Sequence, residues 1–551
     1  MRILDPIAAS EPSAALAGPV YRPRRGARSL FAPELALSGA FVAIVWLLAF
    51  FGGPSALFRD ADAGWHIRAG EQMIATGALP HGDPFSFSKA GEPWVAWEWG
   101  SDVAAGAAHR VAGLNGVAFL YMSAIAAAVW VWFRLHWAAG GNFVLACVLA
   151  APMLSTTNLH WLARPHVFGW LFALATVWFC ESSRRVSLVV VFTLSALWAN
   201  MHGSFFLGPA IILIYWAGAW CGKALWGQAF RPAELLPGAA AALAGTFVNP
   251  HGWNLHKHVF AYLTDSALLD HIGEFQSFNF HAAGATQITL ALLIGAAGGF
   301  AALSARRFDH FLLSMAVTAA ALRSARMLPI AALILLPLAN GSISTVLTNA
   351  ELAPKLRRLL DRILDYGLNL RTLDRSLGGI ALVPFAALAL FGIGHAMHPA
   401  FPADQFPVAA SKAVAALPPD ARIFSSDKFG GYLIYRFAGE RKVFFDGRSD
   451  FYGADFMARY SRLVQARPGW QAEFGRWKFT HALLPPDYAL VAALETQGWT
   501  EIYRDRTAVL LRMGPALPLA DARGSVTAPD NKRLGSEPRP SGSGNGRQVQ
   551  S

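Results

Sequence analysis

The chain has 551 residues, 54% of them hydrophobic and only 15% charged, with a positive mean hydropathy. Soluble domains carry about a quarter charged residues, so the composition argues against a soluble protein with an apolar core. A net charge of +11 would suit nucleic acid in a soluble domain, but here it reads as loop charge that sets membrane topology, and no nucleic-acid partner is expected.

Residues 1–34 form a basic N-terminal segment with Arg22, Arg24, Arg25 and Arg28, and they lack the pattern of a cleavable signal. Apolar runs follow at 35–51, 111–133, 142–158, 167–180, 186–199, 204–220, 233–248, 286–304, 310–322, 328–346 and 378–396. Their lengths approach what a bilayer requires. With the N-terminus inside, the inner segments hold 18 Lys and Arg; the outer loops, the C-terminal region aside, hold eight. That bias follows the positive-inside rule. An odd number of spans puts the C-terminal region outside. The predicted fold class is mostly α: a polytopic helical membrane protein of about 11 transmembrane helices, N-in and C-out, with a small C-terminal α/β domain outside the membrane. Cys147, Cys180 and Cys221 lie in or beside apolar runs and form no CxxC pair, so no cysteine zinc site is supported.

The first outer loop, 52–110, is long for a helix connection. It carries Asp60, Asp62, His66, Glu71, His81, Asp83, Glu92, Glu98 and Asp102. Residues 64–77 read as an amphipathic helix with Trp65, Ile67, Met73 and Ile74 as interfacial contacts. Asp60 and Asp62 either cap that helix or carry catalysis or a metal. Residues 83–87 read as a turn leading into an extended segment. Glu98 sits among three tryptophans. Desolvation there raises a carboxyl's pKa and suits it to proton transfer or to pairing with an arginine.

The second outer loop holds His160, Arg164 and His166, with Pro165 at the start of the next helix. A guanidinium at a membrane mouth either takes a phosphate through two parallel bonds or snorkels to headgroups. Asn200 and His202, Asn249 and His251, and Arg323 and Arg326 fall at later mouths on the same side. The candidate catalytic residues are thus Asp60, Asp62 and Glu98. The candidate substrate contacts are His66, His160, Arg164, His166, Asn200, His202, Asn249, His251, Arg323 and Arg326. No two histidines are four apart, so a hard divalent cation, Mg2+ or Mn2+, is preferred to zinc, with Asp60, Asp62 and a later carboxylate as candidate ligands. No phosphate-binding loop, G-x-S-x-G or H-E-x-x-H is present. The pattern suits two substrates, one of them lipid-linked, meeting at the outer boundary. The arginines would hold the phosphate, and Asp60 or Asp62 would deprotonate an acceptor hydroxyl.

On these features the chain resembles the polytopic membrane glycosyltransferases of the GT-C superfamily, over roughly residues 35–500. The first-loop Asp60 and Asp62, the helix behind them, the multi-helix body and the external domain carry the resemblance. DAGWHIRAGEQMIATGALPHGDPFSF and WANMHGSFFLG are similar to a bacterial branch of such proteins. The resemblance implies a first-loop aspartate as base, a polyprenyl-phosphate or polyprenyl-diphosphate sugar as donor, and an unspecified acceptor. It also implies a bacterial inner membrane location with the site facing the periplasm or exterior. Asp265 or Glu274 loosely matches a second acidic position that some branches use with a divalent metal. No WWDYG-like motif is present, so transfer to asparagine is not supported. The alternatives are a membrane transferase for another lipid phosphate and a non-enzymatic polysaccharide export or assembly component.

Beyond the core at 35–346, residues 347–377 read as a basic amphipathic connection, on lipid or as a soluble helix. Residue 378 begins the last span. Residues 397–512 read as an α/β domain with strands in RIFSSD, YLIYRF, KVFFDG, HALLPPD, EIYRD and AVLLRM. Asp427, Asp446, Arg448 and Asp450 fall at strand ends, facing substrate or stabilising turns. Residues 513–551 read as a disordered tail.

Overall fold

The computed structural model describes residues 27–182, 187–227 and 232–514. Arg22, Arg24, Arg25, Arg184, Arg185, Arg231 and nearly all of the expected tail lie outside the described residues. Helix α1 is Leu35–Phe50, followed by α2 (Asp62–Thr76) and α3 (Trp99–Ala138). Then come α4 (Phe143–Thr157), α5 (His166–Glu181), α6 (Leu188–Met201), α7 (Leu207–Trp226) and α8 (Pro232–Thr246). Short α9 (Trp253–Thr264) and α10 (Ser266–Leu269) precede α11 (Ala285–Ser304), α12 (Phe308–Arg323) and α13 (Leu328–Asn349). Two more, α14 (Pro354–Ser376) and α15 (Val383–Ala396), lead to the C-terminal domain.

By length and composition, five helices can cross a membrane: Trp99–Ala138, Phe143–His160, Gly203–Trp226, Ala285–Ser304 and Ala325–Asn349. Shorter apolar helices accompany them at Leu35–Phe50, His166–Glu181, Leu188–Met201, Leu235–Thr246 and Ile380–Ala396. Helix α13 is buried continuously from Leu328 to Ser342 and forms the centre of the bundle. Small residues let α11 lie close against it: a Cβ on Gly298 would sit 2.2 Å from that of Ala339. Such close backbone approach is how apolar helices associate where burial from water gives no driving force. Helix α14 carries an exposed stripe, Leu356, Leu359, Ile363 and Tyr366, at helical spacing.

Helix α3 begins a dozen residues before the expected apolar run. Its polar first part, Trp99 to Val111, joins the apolar part through a break at Ala112 and Gly113, where Gly113 takes φ 57°. Helix α2 differs from expectation more sharply. Trp65, Ile67 and Met73 are buried in protein rather than laid on lipid. Two neighbours cover the helix: α3 on one side and α17 (below) on the other. Glycines make both contacts possible. A Cβ on Gly70 would lie 1.7 Å from the Asp102 carbonyl oxygen, and one on Gly106 would lie 2.5 Å from the Glu71 nitrogen. Changing Gly70 to Ala is therefore expected to cost about 1–3 kcal/mol through forced separation of α2 and α3. It should lower the thermal midpoint in detergent; an unchanged midpoint would rule out this contact.

In the C-terminal domain, α16 is Ser411–Ala415, β1 Ile423–Ser425, α17 Asp427–Arg436, α18 Ser449–Tyr452, α19 Ala454–Val464 and α20 Trp470–Arg476. Next are β2 (His481–Leu484), α21 (Ala489–Thr496), β3 (Thr500–Arg504) and β4 (Val509–Arg512). The sheet order is β1-β2-β4-β3. Strands β1 and β2 are parallel, with Ile423 opposite His481; β2–β4 and β3–β4 are antiparallel, with Leu483 opposite Leu510. Two expected strands are absent. YLIYRF lies in α17, whose first turn is capped by Ser426 Oγ accepting from Phe429 N–H. KVFFDG forms only an isolated bridge, Val443 to Ser86. That bridge stitches the domain to the first outer loop. The helical contact does the same, since a Cβ on Gly64 would lie 2.2 Å from the Gly431 carbonyl oxygen.

Candidate active site

At the helix ends facing the C-terminal domain lies a cavity of 1110 Å³. It is bounded by the first loop, residues 160–166, His202, the loop before α11, the α12–α13 turn and the loop 447–450. The first two loops are tied together before any substrate arrives. Arg59 donates to the carbonyls of Asn158 and Leu159 at 2.6 and 3.1 Å, and Ala163 N–H donates to the Leu57 carbonyl at 2.8 Å.

Arg164 is the centre of the site. Its guanidinium donates to Asp60 Oδ2 and to Glu274 Oε1, each at 2.8 Å, and forms an ion pair with Asp62 Oδ2 at 3.0 Å. Arg326 then pairs with the other Glu274 oxygen at 2.9 Å and stacks over Phe275 at 4.8 Å. Asp60 Oδ1 accepts the Asp62 N–H at 2.9 Å, so Asp60 is engaged on both oxygens. Neither aspartate caps α2 from its N-cap position, which is Ala61.

Burial raises the Asp62 carboxyl to about 7; Arg164 opposes this, and Asp60 and Glu274 add to it. Burial also pushes on Glu274, but Arg164 and Arg326 outweigh it and hold that carboxyl well below the usual range. Glu98 is likewise raised to about 7, chiefly by burial, with Arg326 opposing. Its Oε1 accepts the Gly203 N–H at 3.4 Å and lies 3.5 Å from His202 Nε2. Burial, with Arg326 and Arg164 nearby, lowers His202 to about 3. Its Nδ1 is 2.6 Å from Ser204 Oγ.

His66, His160, His166 and Arg323 also line the cavity. His166 Nε2 donates to the His160 carbonyl at 2.7 Å. Arg323 has no ion pair among the described residues. Asn200, Asn249 and His251 are not among the lining residues. Asn200 accepts from Trp99 Nε1 at 2.8 Å and donates to the Val248 carbonyl at 2.7 Å. Asn249 shapes its own turn by accepting the His251 N–H at 2.8 Å.

The roof comes from the C-terminal domain. Gly447 lies against Asp62 so closely that a Cβ there would sit 1.9 Å from Oδ1. Ser449 meets Tyr262 at 3.2 Å and Asp450 meets His258 at 3.1 Å. Buried Arg448 fixes the roof, donating to Asp446 at 2.8 and 2.7 Å and to Asp83 at 2.8 Å. Asp427 lines the cavity; Asp446 faces Arg448 instead.

The carboxylates expected as cation ligands, Asp60, Asp62 and Glu274, therefore converge on a guanidinium. Mg2+ requires near-octahedral oxygens about 2.0–2.1 Å from one point, and these three, each bonded to Arg164, do not fit it as arranged. The described residues do hold an acidic cluster able to take a metal ion, Glu181, Asp309 and His310, whose ligand atoms lie within 4.8 Å of one another. It sits at the other end of the bundle and is bonded by Arg307 at 2.6 Å to Glu181 and 2.9 Å to Asp309.

No protein-family model matches the chain, and no curated protein matches it. Among solved structures it is similar to the Archaeoglobus fulgidus oligosaccharyltransferase in its apo form, with a TM-score of 0.47 and 13% identity over 82% of this chain and 69% of that one. The same enzyme in complex with Zn and sulfate gives 0.46 and 14% over 82% and 68%. Likeness at this level leaves the activity to this chain's own residues.

Proposed function

We propose that the chain is a membrane glycosyltransferase moving a sugar from a polyprenyl-phosphate-linked donor to an extracytoplasmic acceptor. One observation carries the reading: a carboxyl that titrates near neutrality, Asp62, shares a cavity with Arg323 and Arg326. The general base works best with a pKa near the operating pH. Asp62 has that property, while Asp60 is engaged by Arg164 and by backbone. Among the described residues, Arg323 and Lys428 line the cavity without an ion pair; Arg323 stands at the end of α12, with Arg326 beside it, and is the one placed to meet a lipid phosphate. Glu98 is the second group suited to proton exchange. The cavity is slightly larger than the range of about 300–1,000 Å³ usual for small-molecule sites, enough for a sugar phosphate with an acceptor group. The eleven-pass reading counts α12 with the ten apolar helices above; the charge bias supports its N-in, C-out sense, in which a lipid-linked donor would reach the cavity from the outer leaflet. A divalent cation enters no step.

The purified protein in detergent is expected to release polyprenyl phosphate from at least one of a panel of polyprenyl phosphate hexoses. Asp62→Asn should lower the rate by about 10²–10⁴-fold at normal expression, and Asp60→Asn by less. Full activity in both variants would sink the base assignment. Consumption of the lipid phosphate without sugar transfer would favour the alternative, a transferase for another lipid-phosphate substrate.

A further inference from the structure

Asp62 takes a proton from the acceptor, but the departing phosphate also gains from receiving one. A phosphate monoester has its second pKa near 6, so a proton donated to its oxygen as the bond breaks eases departure. His66 stands where such a donor is needed. It lies four residues beyond Asp62 on α2, and residues four apart share a helix face. Both line the cavity.

Beneath the ring, His66 Nδ1 is 2.6 Å from Asp102 Oδ1, with side chains only 2% and 1% exposed. The glycine contact explains why the two meet. Gly70 lies one turn beyond His66 and Gly106 one turn beyond Asp102, and together they bring the α2 and α3 backbones into touch at that level. Here Nδ1 alone is bonded, and no described protein group bonds Nε2.

We propose that His66 is a catalytic residue that donates its Nε2 proton to the phosphate oxygen of the donor, with Asp102 as its positioning residue. This rests on the transferase reading above. The acceptor O–H bond breaks and its proton goes to Asp62. The acceptor oxygen bonds to sugar C1, and the C1–O bond to phosphate breaks with its electron pair on that oxygen. With the ring proton on Nε2, Nδ1 accepts a hydrogen bond from a protonated Asp102 carboxyl; the oxygen takes the proton from Nε2 while the Asp102 proton passes to Nδ1. The proton on Asp62 then returns to Nε2 one turn away, and the Nδ1 proton returns to Asp102. No proton is lost and no co-reactant is needed.

The charged and titratable groups around His66 are Asp62 on its own helix, Asp102 on α3, Glu98 before α3, Arg164 before α5 and His202 before α7. The test is the pH profile of the full-length protein with a polyprenyl phosphate hexose. The native profile should be bell-shaped, with a falling alkaline limb from loss of the shared proton. His66→Gln and Asp102→Asn should each lower kcat by about 100-fold, leave KM within about 2-fold and abolish that limb. Asp102→Asn preserves shape, so it reports even where His66→Gln folds poorly, and thermal midpoints check both. A limb that persists in either variant, a native profile without one, or a loss confined to KM would overturn the acid role. A native protein that turns over no such donor overturns the transferase reading and the acid role with it.

Discussion

Replacing Arg164 with Ala is expected to abolish turnover and to destabilise the protein by about 3–5 kcal/mol, the usual cost of removing one partner from a buried charge network. Three carboxylates would lose their shared counter-ion at once, since Asp60, Asp62 and Glu274 all pair with this guanidinium within 3.0 Å. Arg326 reaches only Glu274. The remaining carboxylates would repel each other, and the Asp62 carboxyl, already raised to about 7 with Arg164 opposing, would rise further above its unfolded value. A raised carboxyl pKa gives stability that falls as pH rises through it, so the variant should recover thermal midpoint on acidification from pH 8 to pH 6. Arg164→Lys keeps the charge but not the fork that reaches three acceptors, and it should recover part of the stability and little of the activity. Mg2+ or Mn2+ should raise the midpoint of Arg164→Ala, because the freed oxygens suit a hard cation, and leave the native protein unmoved. A variant with native stability at pH 8 would remove Arg164 from the centre of the site.

This residue also marks the boundary of what sequence shows. An arginine at a membrane mouth reads as a phosphate ligand, yet its partners lie 104 and 110 residues away along the chain, and nothing local announces them. Asn200, Asn249 and His251 have the same polar character as the lining residues, but two of them serve backbone and ring groups instead. Long apolar runs were legible because lipid-facing and buried positions alike exclude charge. The first part of α3 was not, because Asp102, His109 and Arg110 break the apolar pattern while α2 covers that segment. YLIYRF alternates like a strand, and only the Ser426 cap and the packing on α2 make it helical. The facing glycines Gly70 and Gly106 were visible as residues but not as a contact. In the sequence Asp102 is one acid among many, and its partner His66 is 36 residues away.

The remaining expectation concerns pH. With Asp62 as base, only the ionised form accepts the acceptor's proton, so kcat/KM should rise with pH through about 7, where burial puts this carboxyl against the pull of Arg164. Below that value most molecules carry a protonated Asp62 and are idle. Asp62→Asn should remove the rising limb along with the rate. Asp60→Asn should move the limb to lower pH for two reasons acting in one direction: it removes a like charge that raises Asp62, and it frees Arg164 to bond Asp62 more closely. Glu98 complicates the assignment because its carboxyl also sits at about 7. Glu98→Gln separates the two. It should lower the rate while leaving the rising limb near its native position, since Asp60, Glu274 and Arg164, not Glu98, are the charges that act on Asp62. If the limb instead disappears with Glu98→Gln and survives in Asp62→Asn, the base is Glu98, and the acceptor must sit beside His202 rather than against the roof at Gly447.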